Sequence, residues 1–125
     1  AAQQPAHAGA EQLAARRAFP RAPFVTLATL QRTGGATTDA RIEDLSEGGV
    51  LLVAREQFPT GETVRLRFGL PISGRVNAVS AVVRWSRTGR GAPASGLEFM
   101  DLPEAARGEI RQYVALMSNA RTTAR

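Results

Sequence analysis

The sequence predicts a small all-β domain, a barrel or sandwich of about six short antiparallel strands followed by one C-terminal α-helix. Apolar residues recur mostly at every second position from Phe24 onward, and Gly-rich or Pro-rich segments separate these runs. After residue 101 the apolar spacing becomes helical. A length of 125 residues with 43% apolar content suits one domain rather than two.

Three stretches show strand periodicity most clearly. Val25 and Leu27 alternate with polar or small neighbours, which predicts the first strand. A half-buried strand is predicted around residues 64–68, where three apolar residues alternate with two arginines. A longer strand is predicted from about Arg75 to Arg87, with Trp85 on its apolar face, so we expect Trp85 in the core.

Turns are predicted where Gly and Pro interrupt the strand pattern, because these residues favour tight turns. These segments are 34–35, 48–49, 59–61, 71–74 and 89–93. The predicted barrel, with these turns between its strands, spans residues 23–100.

The C-terminal helix is predicted over residues 101–118. Asp101, with Glu104 three residues later and Pro103 in the first turn, is typical of a helix start. The apolar stripe that would close one end of the barrel consists of Ala106, Ile110, Tyr113, Val114 and Met117. Residues 119–125 are expected to be a frayed C-terminus.

The N-terminal residues 1–14 are rich in Ala and Gln and are predicted to be a flexible tail or linker. His7 lies there and is assigned no ligand role. Pro20 and Pro23 disfavour helix in the residues before them, so residues 15–22, the arginine loop, are predicted to be irregular. Arg17 and Arg21 could then reach a ligand from different directions.

Composition excludes several functions. The chain has no Cys and His7 is its only His, so thiol catalysis, disulfides and cysteine-ligated zinc are excluded, and the predicted folded region shows no carboxylate cluster at metal-ligand spacing. No Walker-type phosphate loop occurs, and we expect neither a metal nor enzymatic activity. No apolar run is long enough to span a bilayer, which predicts a cytoplasmic protein without membrane insertion. The formal charge is +5, and every basic residue is Arg, a bias that also follows from codon usage.

Two motifs stand out when they are considered together. The first is Arg17-x-x-x-Arg21, preceded by Arg16, and the second is Asp44-x-Ser46-x-x-Gly49. The arginine spacing also occurs at 107/111 and 121/125, so by itself it indicates only a solvated basic segment. The second motif alone is equally consistent with a hairpin turn whose polar side chains bind local backbone amides.

Together the motifs suit a ligand that carries phosphates and guanine. Arginine binds phosphate or guanine edges, whereas a carboxylate accepts from guanine N–H groups or orients a guanidinium. Asp44 and Ser46 are two residues apart, so an extended segment would present both on one face. Gly48 and Gly49 would permit positive φ and a close approach of backbone to ligand.

The two motifs, the Gly-Gly-Val-Leu-Leu continuation and Gly96-Leu97-Glu98-Phe99 resemble PilZ domains, bacterial receptors for cyclic di-GMP, over residues 15–118. The resemblance implies a six-stranded antiparallel β-barrel with a C-terminal helix. It also implies that the arginine loop closes over a bound nucleotide as a switch. A partner protein or an attached effector domain would detect the closed loop.

Carried over to this chain, the resemblance assigns nucleotide contacts to particular residues. Arg17 and Arg21 would bind phosphates and guanine edges, Asp44 and Ser46 would contact guanine or brace the arginines, and Gly49 would allow the turn. Arg16 and Gly48 are weaker candidates.

Two alternatives remain open. One is a PilZ-like adaptor that binds protein without nucleotide. The other is a small basic barrel that binds nucleic acid, for which aromatics interleaved with arginines are missing.

Overall fold

Six antiparallel strands close into a barrel, with one helix packed against it. The computed structural model describes residues 19–88 and 91–123, and of residues 120–123 it describes the backbone only. The strands are β1 (Arg21–Gln31), β2 (Thr37–Ser46), β3 (Gly49–Ala54), β4 (Thr63–Gly69), β5 (Val76–Arg87) and β6 (Ala94–Phe99). Helix α1 spans Glu104–Thr123.

Strand order around the barrel is β1-β2-β3-β6-β5-β4, and the β1–β4 pair closes it. The predicted six-stranded antiparallel barrel with a C-terminal helix is therefore confirmed. The predicted turn segments 34–35, 59–61 and 71–74 lie between strands, whereas Gly49 of the segment 48–49 is the first residue of β3. Residues 89–90 of the last predicted turn lie outside the described residues. Four glycines of these turns, Gly34, Gly35, Gly61 and Gly74, have positive φ.

The core fills the barrel interior and continues under α1. Val64, Leu66 and Phe68 of β4 are buried, as their alternation predicts. Ala106, Ile110 and Val114 of α1 belong to the same apolar cluster. Tyr113 fixes the helix to β1, since its hydroxyl donates to the carbonyl of Pro23 and its ring meets Phe24 edge to face.

The first strand faces the opposite way from the predicted pattern. Val25 and Leu27 are 68% and 80% exposed, while Ala22, Ala28 and Leu30 are buried. The exposed and the buried residues of this strand are both apolar, so alternation alone does not show which face points inward. The pairing of β1 with β2 and β4 determines the inner face. The register between β1 and β2 also shifts between Pro23 and Thr26.

Three predicted boundaries differ from the structure. Arg21 is the first residue of β1, not part of an irregular loop, because it pairs with Ser46 of β2. The helix begins at Glu104 rather than Asp101, whose carboxylate accepts instead from the Ser80 N–H at 2.8 Å. The helix continues past residue 118 to Thr123, because no Gly or Pro interrupts this segment.

The predicted tail at residues 1–14 and the arginines Arg16 and Arg17 lie outside the described residues. Within the described residues, no helix is both long and apolar enough to cross a membrane.

Candidate functional site

The turn between β2 and β3 is organised by a buried serine. Ser46 is fully buried, and its Oγ accepts from the N–H groups of Gly48 at 3.1 Å and Gly49 at 3.2 Å. The same hydroxyl lies 3.4 Å from the Gly49 carbonyl, to which it donates. In this structure Ser46 therefore shapes the turn, while its predicted contact with a ligand remains a prediction.

The two glycines of this turn do not supply positive φ, which corrects the prediction, and only Gly49 is required for lack of space. Neither Gly48 nor Gly49 has positive φ. A Cβ on Gly49 would lie 1.9 Å from the Leu97 carbonyl oxygen of β6. A Cβ on Gly48 would lie 2.9 Å from Cδ2 of Phe19. The turn is thus pressed between β6 on one side and an aromatic ring of the arginine loop on the other.

Asp44 and Arg21 meet at the entrance to the turn. Asp44 Oδ2 lies 3.5 Å from Arg21 Nη1, and the Asp44 side chain is 20% exposed. Pairing of β1 with β2 sets Arg21 opposite Ser46 and Pro23 opposite Asp44, so the arginine lies diagonal to the carboxylate. Asp44 is therefore placed to orient the Arg21 guanidinium towards an anion.

A continuous row of residues extends from Asp44 across the outer face of the barrel. Strand pairing sets Asp44 opposite Leu51, Leu51 opposite Gly96, and Gly96 opposite Trp85. The neighbouring pair Leu45–Val50 points into the core, so the row faces outward. Four strands thus present one surface that begins at the Arg21–Asp44 ion pair and ends at an indole.

Trp85 lies outside the core, contrary to the prediction. The β5–β6 register shifts between Val83 and Trp85, and this bulge turns the indole to the outer face. Gly96 makes room for it, since a Cβ there would lie 2.2 Å from Trp85 Nε1. The Arg87 guanidinium is 5.4 Å from the ring centroid. The Trp85 N–H is buried and has no hydrogen-bond acceptor among the described residues.

Next to this row the surface forms an open depression with a volume of about 390 Å³. Its lining includes Leu51 and Val53 together with Arg41, Glu43 and Arg87. Arg41 also donates to the Glu43 carboxylate. The size suits a small molecule, and the lining combines apolar side chains with two arginines and one carboxylate.

On its other side the turn contacts α1 through Glu47. The Glu47 side chain is 13% exposed, and its Oε1 lies 3.1 Å from Arg111 Nη2 and 3.8 Å from Arg107 Nη1. The hydrogen bond to Glu47 raises the pKa of Arg111 above its usual value. The turn that carries Ser46 is thus held to the C-terminal helix by ion pairs.

Among residues 19–88 and 91–123, no three acidic or histidine side chains converge as metal ligands. The described site consists of arginines, the carboxylates of Glu43, Asp44 and Glu47, a serine hydroxyl, an indole and backbone.

The chain is thus a small six-stranded antiparallel β-barrel with a C-terminal helix, and it carries arginines beside an acidic residue at one turn. A family model described as "PilZ domain" matches residues 15–116 of the chain. The chain therefore belongs to the PilZ domain family.

Solved structures show the same fold. The inhibitor of motility MotI/DgrA from Bacillus subtilis matches with a TM-score of 0.73 and 22% identity, over 84% of this chain and 52% of that one. The PilZ domain of YcgR from Escherichia coli, solved with c-di-GMP, matches with a TM-score of 0.68 and 16% identity, over 87% of this chain and 97% of that one.

YcgR from Escherichia coli in complex with c-di-GMP matches with a TM-score of 0.71 and 18% identity, over 87% of this chain. The chain spans about half the length of that protein and of MotI/DgrA. A comparison with curated proteins found no significant match.

The structure brings Arg21, Asp44, Ser46, Gly48 and Gly49 together at one turn. Sequence reasoning did not find several residues that lie beside them, namely Phe19, Arg41, Glu47, Leu51, Arg87, Arg107 and Arg111. Their positions depend on strand register and on how α1 packs. The segment Gly96-Leu97-Glu98-Phe99 contributes to the family resemblance, but the pairing of Gly96 with Trp85 depends on the bulge after Val83, which the sequence pattern does not reveal.

Proposed function

We propose that this chain is a receptor for cyclic di-GMP. The nucleotide would lie on the outer face of the barrel, between the Arg21–Asp44 pair and Trp85. Closure of the arginine loop over the nucleotide would change the surface offered to a partner protein or an attached domain. Such a receptor would act in the cytoplasm, and we propose no catalytic step.

The observation that carries this proposal is the Arg21–Asp44 ion pair at the edge of an apolar surface. Cyclic di-GMP has two phosphates and two guanine bases, so it needs cations beside flat apolar contacts. Arg21 and Arg87 supply cations at the two ends of the surface, and Trp85 supplies an aromatic ring. Asp44 can orient Arg21 or accept from guanine N–H groups.

Family membership and the shared fold support the same ligand. The PilZ domain of Escherichia coli YcgR, solved with c-di-GMP, has this barrel. Arg16 and Arg17 of the arginine loop match the family's first motif, and we propose that they bind the phosphates together with Arg21. Gly48 and Gly49 would let the turn approach the ligand, and Ser46 would keep their N–H groups in place.

The proposed switch is energetically feasible. A hydrogen bond to a charged group contributes about 1.5 to 3 kcal/mol, and several such bonds would offset the entropy lost when a short loop is held in place. The nucleotide would then shift the population towards the closed loop, which is what a partner can detect.

Isothermal titration calorimetry with cyclic di-GMP tests the proposal, with GTP as the control ligand. Arg21→Ala should weaken binding at least about tenfold, because it removes a charge-assisted contact to the nucleotide. Arg67→Ala is the matched control, since Arg67 is an exposed arginine of β4 away from the turn. The chain has one tryptophan, so Trp85 fluorescence reports occupancy of the same surface.

Saturable binding that Arg21→Ala weakens and Arg67→Ala preserves would support the receptor. Equal affinity of wild type and Arg21→Ala would remove Arg21 from the site. Absence of heat and of any fluorescence change at millimolar nucleotide would refute the proposed ligand.

One observation favours a second candidate, a protein-binding adaptor that needs no nucleotide. Val25 and Leu27 are exposed side by side on the outer face of β1, at 68% and 80%. Exposed aliphatic pairs of this kind are a feature of protein-binding surfaces. The calorimetric experiment separates this candidate from the receptor, because an adaptor that needs no nucleotide would release no heat with cyclic di-GMP.

A further inference from the structure

An aromatic ring of the arginine loop lies between the β2–β3 turn and the C-terminal helix. Phe19 sits between Arg17 and Arg21 in sequence. Its Cδ2 atom is 2.9 Å from the position of a Cβ on Gly48, so the ring packs directly on that glycine. On the other side, the Arg107 guanidinium of α1 lies 5.9 Å from the ring centroid. The ring is therefore held from two directions.

The arginine that covers the ring is itself held by the turn. Glu47 lies 3.8 Å from Arg107 and 3.1 Å from Arg111, and its carboxylate is largely shielded from solvent. Glu104 also lies 3.9 Å from Arg111, so two carboxylates balance the two guanidinium groups here. The ion pairs therefore hold Arg107 in place over the ring.

We infer that Phe19, Gly48 and Arg107 form an aromatic clamp that holds the arginine loop on the turn and couples nucleotide binding to the docking of α1. This inference rests on the proposed function. Arg107 acts through Phe19 and is a positioning residue.

Preorganisation explains why the clamp would raise affinity. A loop that is already fixed at Phe19 loses less conformational entropy when its arginines meet a ligand. Coupling between two sites is reciprocal, so a nucleotide that favours the closed loop must also favour the docked helix. Through the clamp, nucleotide binding would therefore stabilise the docked position of α1.

The test compares Phe19→Ala and Arg107→Ala with the control Arg67→Ala in the full chain. A cation–π contact at a partly exposed site contributes enough to change affinity about fivefold, so both clamp variants should bind cyclic di-GMP about fivefold more weakly. Arg107→Lys keeps a cation over the ring and should recover most of the affinity. Arg67→Ala should bind like the wild type.

Amide hydrogen exchange of residues 104–111 gives the second readout. Without nucleotide, both clamp variants should exchange these amides faster than the wild type. With nucleotide, exchange should slow in the wild type and remain unchanged in Phe19→Ala. Thermal unfolding of each variant verifies that the barrel stays folded.

The outcomes are distinguishable from those of the proposed function. If wild type binds no cyclic di-GMP, the proposed function fails and the coupling with it, whereas faster exchange in nucleotide-free Phe19→Ala would still establish the contact between loop and helix. If wild type binds but the clamp variants bind equally well, the coupling is overturned. Identical exchange of residues 104–111 in all variants likewise overturns it.

Discussion

Replacing Gly49 with Ala should destabilise the whole barrel, whereas the same change at Gly48 should not. A Cβ on Gly49 would lie 1.9 Å from the Leu97 carbonyl oxygen, and ordinary contact begins near 3.4 Å. The β6 backbone would have to retreat by about 1.5 Å, which strands paired about 4.8 Å apart cannot accommodate without loss of hydrogen bonds. At Gly48 the obstacle is the Phe19 ring, a side chain that can rotate away.

The expected magnitude follows from these contacts. Overpacking costs about 1 to 3 kcal/mol, and each weakened backbone hydrogen bond costs about 1 kcal/mol more. The bond from the Phe99 N–H to the Gly48 carbonyl, at 2.9 Å, is one of those at risk. Alanine also lowers the conformational entropy of the unfolded chain, which stabilises the folded protein by about 0.5 kcal/mol. The free energy of unfolding should therefore fall by about 2 to 4 kcal/mol.

Thermal unfolding followed by circular dichroism measures this difference. For a domain of this size, Gly49→Ala should lower the Tm by about 10 to 20 °C. Gly48→Ala should change the Tm by less than about 3 °C. It should nevertheless weaken the binding of cyclic di-GMP, because the Phe19 ring can no longer pack on residue 48. A Gly49→Ala protein that melts with the wild type would refute the packing argument.

Two further predictions concern single side chains. Ser46→Ala should lower the unfolding free energy by about 2 kcal/mol even without nucleotide, because the buried Gly49 N–H and the partly buried Gly48 N–H lose their acceptor. Urea denaturation that matched the wild type would show that Ser46 has a purely ligand-binding role. Glu109 is partly buried, which opposes ionisation, but its pKa is lowered by two N–H donors of the β4–β5 turn and by the nearby charge of Arg75. Its stabilising effect should thus be present above its ordinary pKa of about 4.3 and be lost as pH falls through the lower folded value. Glu109→Gln should then cost about 1 kcal/mol at pH 7 and much less near pH 3, and an equal cost at both pH values would contradict this reasoning.

The fold was predictable because its periodic signals agree. The alternation at residues 64–68 and the helical stripe around Ile110 each identify an inner face, and both faces are buried. The first strand lacked such a contrast, since Val25 and Leu27 are apolar but exposed, while Ala22 and Ala28 occupy the core. A period of two gives the alternation but not its phase.

The candidate site was only partly predictable. Its two motifs mark Arg21 and Asp44, which the structure brings within 3.5 Å. Trp85 was assigned to the core from alternation, and the bulge after Val83 moves it to the outer face. Glycine at position 49 was expected to provide backbone freedom, and its actual role is to admit the backbone of β6.

The sequence by itself determined the barrel class, the order of its strands and helix along the chain, and the family, because these depend on local periodicity, turn residues and motif spacing. Only the tertiary structure decided that Leu51, Gly96 and Trp85 continue the surface that begins at Asp44, and that Arg107 covers Phe19. These neighbours are distant in sequence, and strand register, bulges and helix docking set them together. Such contacts arise when the barrel closes, so no local pattern of residues encodes them.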